Sequence, residues 1–189
     1  LKINYTCLTN YNSNSDSPIF FGNVRTVDLE VGDYVDENIS LGLGFLDELG
    51  VGDVLFVNGS SKFAYFGELM TRYSIKKNIE GVIINGATRD NNYTFGKDLD
   101  ILFKIKTPVD IKGRGRVKSV DTSLIIDGNS IQSFSFVFAD SDGVVIINNK
   151  DLNVVQNAVK SIIKKEKTII EAIENNVSIK DIIDNFKSF

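Results

Sequence analysis

Two short pieces of the chain, Gly67-Glu68-Leu69-Met70 and Arg89-Asp90, hold residue types that together can seat an anion and a hard cation. Gly67 opens a helical stretch, so the first-turn N–H groups of residues 67–70 lack intrahelical partners and form a seat for a carboxylate or phosphate. Arg89 follows an apolar strand and can add a planar guanidinium fork to the same anion or to a neighbouring carbonyl. Asp90, and more remotely Glu68, supply hard oxygen donors of the kind Mg²⁺ prefers, with water and substrate filling the remaining positions. In α/β sheets, ligands collect beyond the carboxyl ends of strands and at helix N-termini, which is where both pieces fall. A glycine before a helix and an Arg-Asp pair after a strand also serve as a cap and a surface ion pair. Residue types alone leave both readings open.

Composition narrows the chemistry further. The 189 residues contain no histidine, which excludes Ser–His–Asp and Cys–His catalysis and histidine metal sites. The single cysteine, Cys7, excludes disulfides within the chain and CxxC zinc sites. A net charge of −4 argues against nucleic acid as a partner, because phosphate neutralisation needs a basic face. No apolar run approaches the roughly 20 residues of a membrane span. The start carries no charged-then-apolar signal pattern, so the expected location is cytoplasmic, with no membrane partner. The chain begins at Leu1, which keeps a domain cut from a longer protein in view.

The elements that must position these residues read as one α/β domain over 1–189. It comprises a polar arm over 1–17, an α/β core over 18–150 and C-terminal helices over 151–189. Phe20 to Leu29 is expected to be a strand, Asn38 to Leu49 a short helix, and Val54 to Asn58 a buried strand. Glu68 to Lys77 follows as a helix, then Gly81-Val-Ile-Ile-Asn-Gly86 as an apolar strand. That order has the rhythm of a βαβ unit and predicts a parallel pair. Short strands are expected at Leu102–Ile105, Arg116–Val120, Leu124–Ile126, Ser133–Phe138 and Val144–Ile147. From Asp151 the period becomes helical, with Leu152, Val155, Val159, Ile162, Ile163, Ile169, Ile170 and Ile173 on one stripe. Ser178 is the expected N-cap of a last short helix.

Glu68, twenty intervening residues and then Arg89-Asp90 resemble the acid–X20–Arg–Asp signature of the regulator of ribonuclease activity A (RraA)-like superfamily. That superfamily includes the 4-hydroxy-4-methyl-2-oxoglutarate aldolases. Gly52-Asp-Val-Leu-Phe-Val-Asn-Gly59 and Gly81-Val-Ile-Ile-Asn-Gly-Ala-Thr-Arg-Asp90 are similar to its strands on either side. Gly113-Arg-Gly-Arg-Val117, Ala139-Asp-Ser-Asp-Gly-Val-Val145 and Ser178-Ile-Lys-Asp-Ile182 resemble its later segments.

The resemblance implies a swivelling β/β/α domain with mixed sheets and a long amphipathic C-terminal helix. It further implies a ring-like homotrimer or a hexamer, with active sites at subunit contacts. The implied activity is a lyase dependent on Mg²⁺ or Mn²⁺ and acting on short 2-oxo acids. It would cleave 4-hydroxy-4-methyl-2-oxoglutarate-like substrates, or decarboxylate oxaloacetate, through pyruvate enolate. Asp90 would ligate the metal, and Glu68 would hold a metal-bound water that serves as base. Arg89 would bind the 2-oxo acid and offset the enolate charge, and the amides of Gly67, Glu68, Leu69 and Met70 would take the substrate carboxylate. The alternatives are a non-catalytic regulator that binds a ribonuclease, or a fused RraA-like domain without turnover.

The chain departs from the extended aldolase pattern where Tyr93 stands in place of an acid, and where Asn58-Gly59 replaces Asp-Gly. Glu166 or Glu171 could supply the acid that a neighbouring subunit lends in some relatives, although a solvated helix face accounts for both. Tyr65, Phe66, Phe95 and Phe103 read as core or pocket wall. Arg114 and Arg116 read as a solvated basic turn, Asp140 and Asp142 as less than a calcium loop, and the lysines at 160, 164, 165 and 167 as a water-facing surface.

Overall fold

In a computed structural model of the protein, residues 3–35, 39–90 and 98–186 are described. The chain divides into two compact units, 1–149 and 150–189. Among the described residues, the first unit holds twelve strands and two helices. Its strands are β1 (Tyr5–Leu8), β2 (Asn12–Ser13), β3 (Ile19–Val31), β4 (Asp53–Asn58), β5 (Ala64–Phe66) and β6 (Gly81–Thr88). They continue with β7 (Ile101–Lys106), β8 (Gly115–Val120), β9 (Leu124–Ile126), β10 (Asn129–Ile131), β11 (Phe136–Asp140) and β12 (Val144–Ile147). Helix α1 spans Ile39–Glu48 and α2 spans Glu68–Lys77.

Ten strands form one mixed sheet in the order β1-β12-β11-β3-β4-β6-β7-β2, with β5 joined to β6 and β8 joined to β3. The centre, β3-β4-β6-β7, is parallel, as the βαβ rhythm predicts. Its strands are apolar on both faces because both are covered. Val54, Phe56, Ile83 and Leu102 pack on the β9–β10 hairpin through Leu124, Ile126 and Ile131. Leu55, Val57, Val82 and Ile84 face Phe45 and Leu46 of α1 and Leu49 just beyond it. Alternate residues of one strand thus serve two opposed cores. The result is a hairpin sheet, the large sheet and a helical layer, the β/β/α arrangement that the resemblance implies.

The arm expected over 1–17 is a correction. Its polar residues conceal two edge strands: β1 pairs with β12, and β2 pairs with β7. Asn14 Nδ2 donates to the Leu99 carbonyl at 2.9 Å, and the Ile101 N–H donates to Asn14 Oδ1 at 2.7 Å. Side-chain amides here substitute for apolar contacts, which is why hydrophobic periodicity misses the segment. The strand expected from Ser133 starts instead at Phe136, because Phe134 has a φ of 65° and turns the chain.

The second unit holds α3 (Leu152–Glu174), preceded by a 3-10 turn, and α4 (Ile179–Phe186). No residue of α3 is buried, and Val159, Ile162, Ile163, Ile170 and Ile173 of the expected stripe are exposed. Ser178 caps α4 as expected, accepting from the Asp181 N–H at 3.1 Å. Among the described residues, no helix is long and apolar enough to cross a membrane.

Candidate functional site

Strand β6 delivers Arg89 and Asp90 to the start of α2. Its register shifts between Ile84 and Ala87, where Gly86 lies so close to the β4–β5 connection that a Cβ would stand 2.6 Å from the Ser60 nitrogen. Beyond this irregularity β6 pairs with β5, the strand that leads into α2. Thr88 Oγ1 donates to the Phe66 carbonyl at 3.0 Å, and the Arg89 N–H donates to the same oxygen at 3.1 Å. The ends of the two parallel strands are thereby fastened side by side.

Gly67 is needed there for space. A Cβ on it would stand 2.6 Å from Asp90 Oδ2, 2.9 Å from Arg89 Cγ and 3.1 Å from Arg89 Nε. Its φ of −153° is extended backbone open to any residue, so the constraint is steric. Asp90 has a φ of 61°, a left-handed conformation that aspartate tolerates better than most residues. Its Oδ2 accepts from the Glu68 N–H at 3.3 Å and lies 3.4 Å from Arg89 Nε.

The sequence-derived site residues therefore come together, with two qualifications. Of the amides expected to receive an anion, that of Glu68 already donates to Asp90. The first helical bond of α2 runs from the Thr71 N–H to the Gly67 carbonyl at 3.0 Å, so the N–H groups of Leu69 and Met70 precede the intrahelical ladder. Leu69 is exposed beside the site, whereas Met70 packs against the helical-side core. The Glu68 carboxylate is turned along its own helix, 2.7 Å from Arg72 Nη2.

Asp110, which the sequence did not single out, receives a hydrogen bond from Arg89 Nη1. Burial pushes the Asp110 carboxyl up, but the Lys112 N–H and the Arg89 guanidinium together hold it below the usual carboxylate value. Its only sequence signal is polarity in a turn, and neither spacing nor periodicity links it to Arg89.

The donors available to a divalent cation are few. Among the described residues, no group of three or more His, Cys, Asp or Glu side chains could hold a metal ion. The half-exposed Asp90 carboxylate alone does fit Mg²⁺, which commonly takes one or two carboxylates and keeps water or substrate oxygens in its other positions. A closed, protein-only cage is not what these residues form.

The remaining expectations fall as follows. Tyr93 and Phe95 lie outside the described residues, whereas Phe66 and Phe103 are buried and Tyr65 is partly so. Asn58 Nδ2 donates to Asp28 Oδ1 at 2.7 Å, so a carboxylate at this position would face another carboxylate. Arg116 pairs with Glu30 at 2.8 Å, and Asp140 Oδ1 accepts the Asp142 N–H at 2.9 Å within its own turn. Glu166 and Glu171 are exposed on α3.

The fold is a β/β/α arrangement in which an arginine and an aspartate at a strand end meet a glycine-opened helix. Residues 4–146 match the RraA-like family, described as Aldolase/RraA, and the chain belongs to that family. It is 32% identical over 130 residues to a 4-hydroxy-4-methyl-2-oxoglutarate aldolase of Thermus thermophilus, covering 68% of this chain and 75% of the relative. Among solved structures, a Thermus RNA-processing inhibitor, RraA, superposes with a TM-score of 0.62 and 27% identity, covering 76% of this chain and 85% of that one. An uncharacterised protein of Pseudomonas syringae has the same fold, with a TM-score of 0.79 at 22% identity, over 92% of this chain and 82% of its own.

Proposed function

We propose that the chain is a divalent-metal-dependent lyase that releases pyruvate from short 2-oxo acids. The candidate reactions are retro-aldol cleavage of 4-hydroxy-4-methyl-2-oxoglutarate-like substrates and decarboxylation of oxaloacetate. The observation that carries this reading is the convergence of Arg89, Asp90 and the Glu68 N–H on the Gly67 turn, with Asp90 Oδ2 accepting from Glu68 at 3.3 Å. The aldolase relative in Thermus supports the same chemistry.

In this reading the amides of Leu69 and Met70 bind the substrate carboxylate at the positive end of α2. Arg89 orients the 2-oxo group and stabilises the negative charge that develops on its oxygen. Asp90 would hold Mg²⁺ or Mn²⁺, which when bound supplies Lewis acidity toward that oxygen. Glu68 would turn from Arg72 toward the substrate and hold the water that accepts the 4-hydroxyl proton. The exposed apolar residues of α3 support assembly with further copies of the chain, which we read as a trimer or hexamer.

The test is pyruvate release from 4-hydroxy-4-methyl-2-oxoglutarate and from oxaloacetate, with Mg²⁺ and with chelator. Turnover of at least one, lost with chelator and in Asp90→Ala and Arg89→Ala, is the expected result. No turnover of either, with metal binding unchanged in Asp90→Ala, would overturn it. The likeness to an RNA-processing inhibitor favours a second reading, a ribonuclease-binding regulator. Capture of a ribonuclease that survives Arg89→Ala would support that reading instead.

A further inference from the structure

We propose that Asp110 is a positioning residue that fixes the Arg89 guanidinium against the Gly67 turn; this rests on the lyase reading for its purpose but not for its geometry. Arg89 approaches the turn with its Cγ and Nε beside Gly67, and the guanidinium meets two carboxylates. Asp90 Oδ2 lies 3.4 Å from Nε, and Asp110 Oδ2 accepts from Nη1.

Asp110 is itself held from several directions. Its Oδ1 accepts the Lys112 N–H at 2.8 Å, which fixes the carboxylate plane. Its backbone bridges Ala64 of β5 in parallel, and the Ala64 N–H donates to the Val109 carbonyl at 2.8 Å. The Thr107 N–H donates to the Thr88 carbonyl at 3.0 Å, immediately before Arg89. The segment carrying Asp110 is therefore fastened to the two strands that build the site. An unrestrained arginine loses rotamer freedom when a ligand immobilises it. An arginine held in advance has already lost that freedom, so substrate binding does not have to supply it.

The experiment follows the Arg89 Nε–Hε resonance by NMR, assigned by its disappearance in Arg89→Lys, and measures oxalate binding with Mg²⁺ by calorimetry. In Asp110→Ala the resonance loses its order and oxalate binds about tenfold more weakly, with an unchanged melting temperature. Asp110→Asn keeps an acceptor oxygen and retains part of both, and it serves should the alanine variant fail to fold. In an Arg89→Lys background, Asp110→Ala adds no more than about a twofold change, because its effect runs through Arg89. The proposal is overturned if Asp110→Ala leaves the resonance ordered, or loosens it without weakening oxalate binding. Tighter oxalate binding in Asp110→Ala overturns it too, because Asp110 would then be a competitor for Arg89. If the wild type neither binds oxalate nor turns over substrate, the lyase reading falls, and the resonance alone decides whether Asp110 orders Arg89.

Discussion

Asp90 Oδ2 occupies the space a side chain on Gly67 would need, 2.6 Å from where a Cβ would stand. The helix start and the strand end can share one site because Gly67 has no side chain. Gly67→Ala must push Asp90 and Arg89 outward, while its extended backbone needs no change. Pyruvate-forming kcat/KM is expected to fall about ten- to a hundredfold, or about 1.4–2.7 kcal/mol of transition-state stabilisation. The melting temperature should stay near that of the wild type. Kinetics and a thermal scan on the same preparation check both halves, and undiminished turnover would separate the turn from the chemistry.

The pairing of Glu68 with Arg72 yields a contrast between two variants. Glu68→Gln removes the carboxylate that would hold the proton-accepting water and is expected to lower kcat at least about tenfold. Arg72→Ala breaks only an exposed pair one helical turn apart, worth about 0.3–0.5 kcal/mol, and should not lower kcat. Equal losses in the two variants would mean that Arg72, rather than the Glu68 carboxylate, governs the step.

Arg25 carries the largest expected stability effect outside the apolar core. Its Nη2 lies 2.7 Å from Asp121 Oδ2 and its Nη1 lies 3.3 Å from Asp53. The guanidinium is stacked between Phe45 and Phe134, at 5.0 and 5.2 Å from their ring centres. The hydrogen bond to Asp121, above all, holds its proton more tightly than usual. Only 12% of the side chain is exposed. Arg25→Met leaves two carboxylates without their cation and is expected to cost about 3 kcal/mol in urea unfolding. A loss under about 1 kcal/mol would show that water reaches these carboxylates.

Acid should weaken the contact between α1 and α2. The Asp47 carboxyl is held below its ordinary value by the Tyr73 hydroxyl, 2.7 Å away, and by Lys77. Because the folded-state value is the depressed one, the contribution is complete above the ordinary carboxylate value near about 4 and fades as pH falls through the lower folded value. Asp47→Asn should therefore be less stable than the wild type at neutral pH and lose less stability between about pH 4 and pH 2. Parallel stability curves for the two proteins over that interval would refute this.

The continuous apolar run at 54–57, the switch to helical period after Asp151 and the spacing from Glu68 to Arg89-Asp90 are local patterns, and each survives in the folded chain. They were readable because periodicity and motif spacing record which residues must share a face or a turn. The strands of the arm and the partnership of Arg89 with Asp110 were not readable. Asp110 meets Arg89 only because a parallel bridge brings it beside β5, and chain separation carries no record of such a meeting. Chain order determined the layers and the motif, whereas folding decided which charges face each other, because ion pairs depend on distances of a few ångströms that only packed strands define.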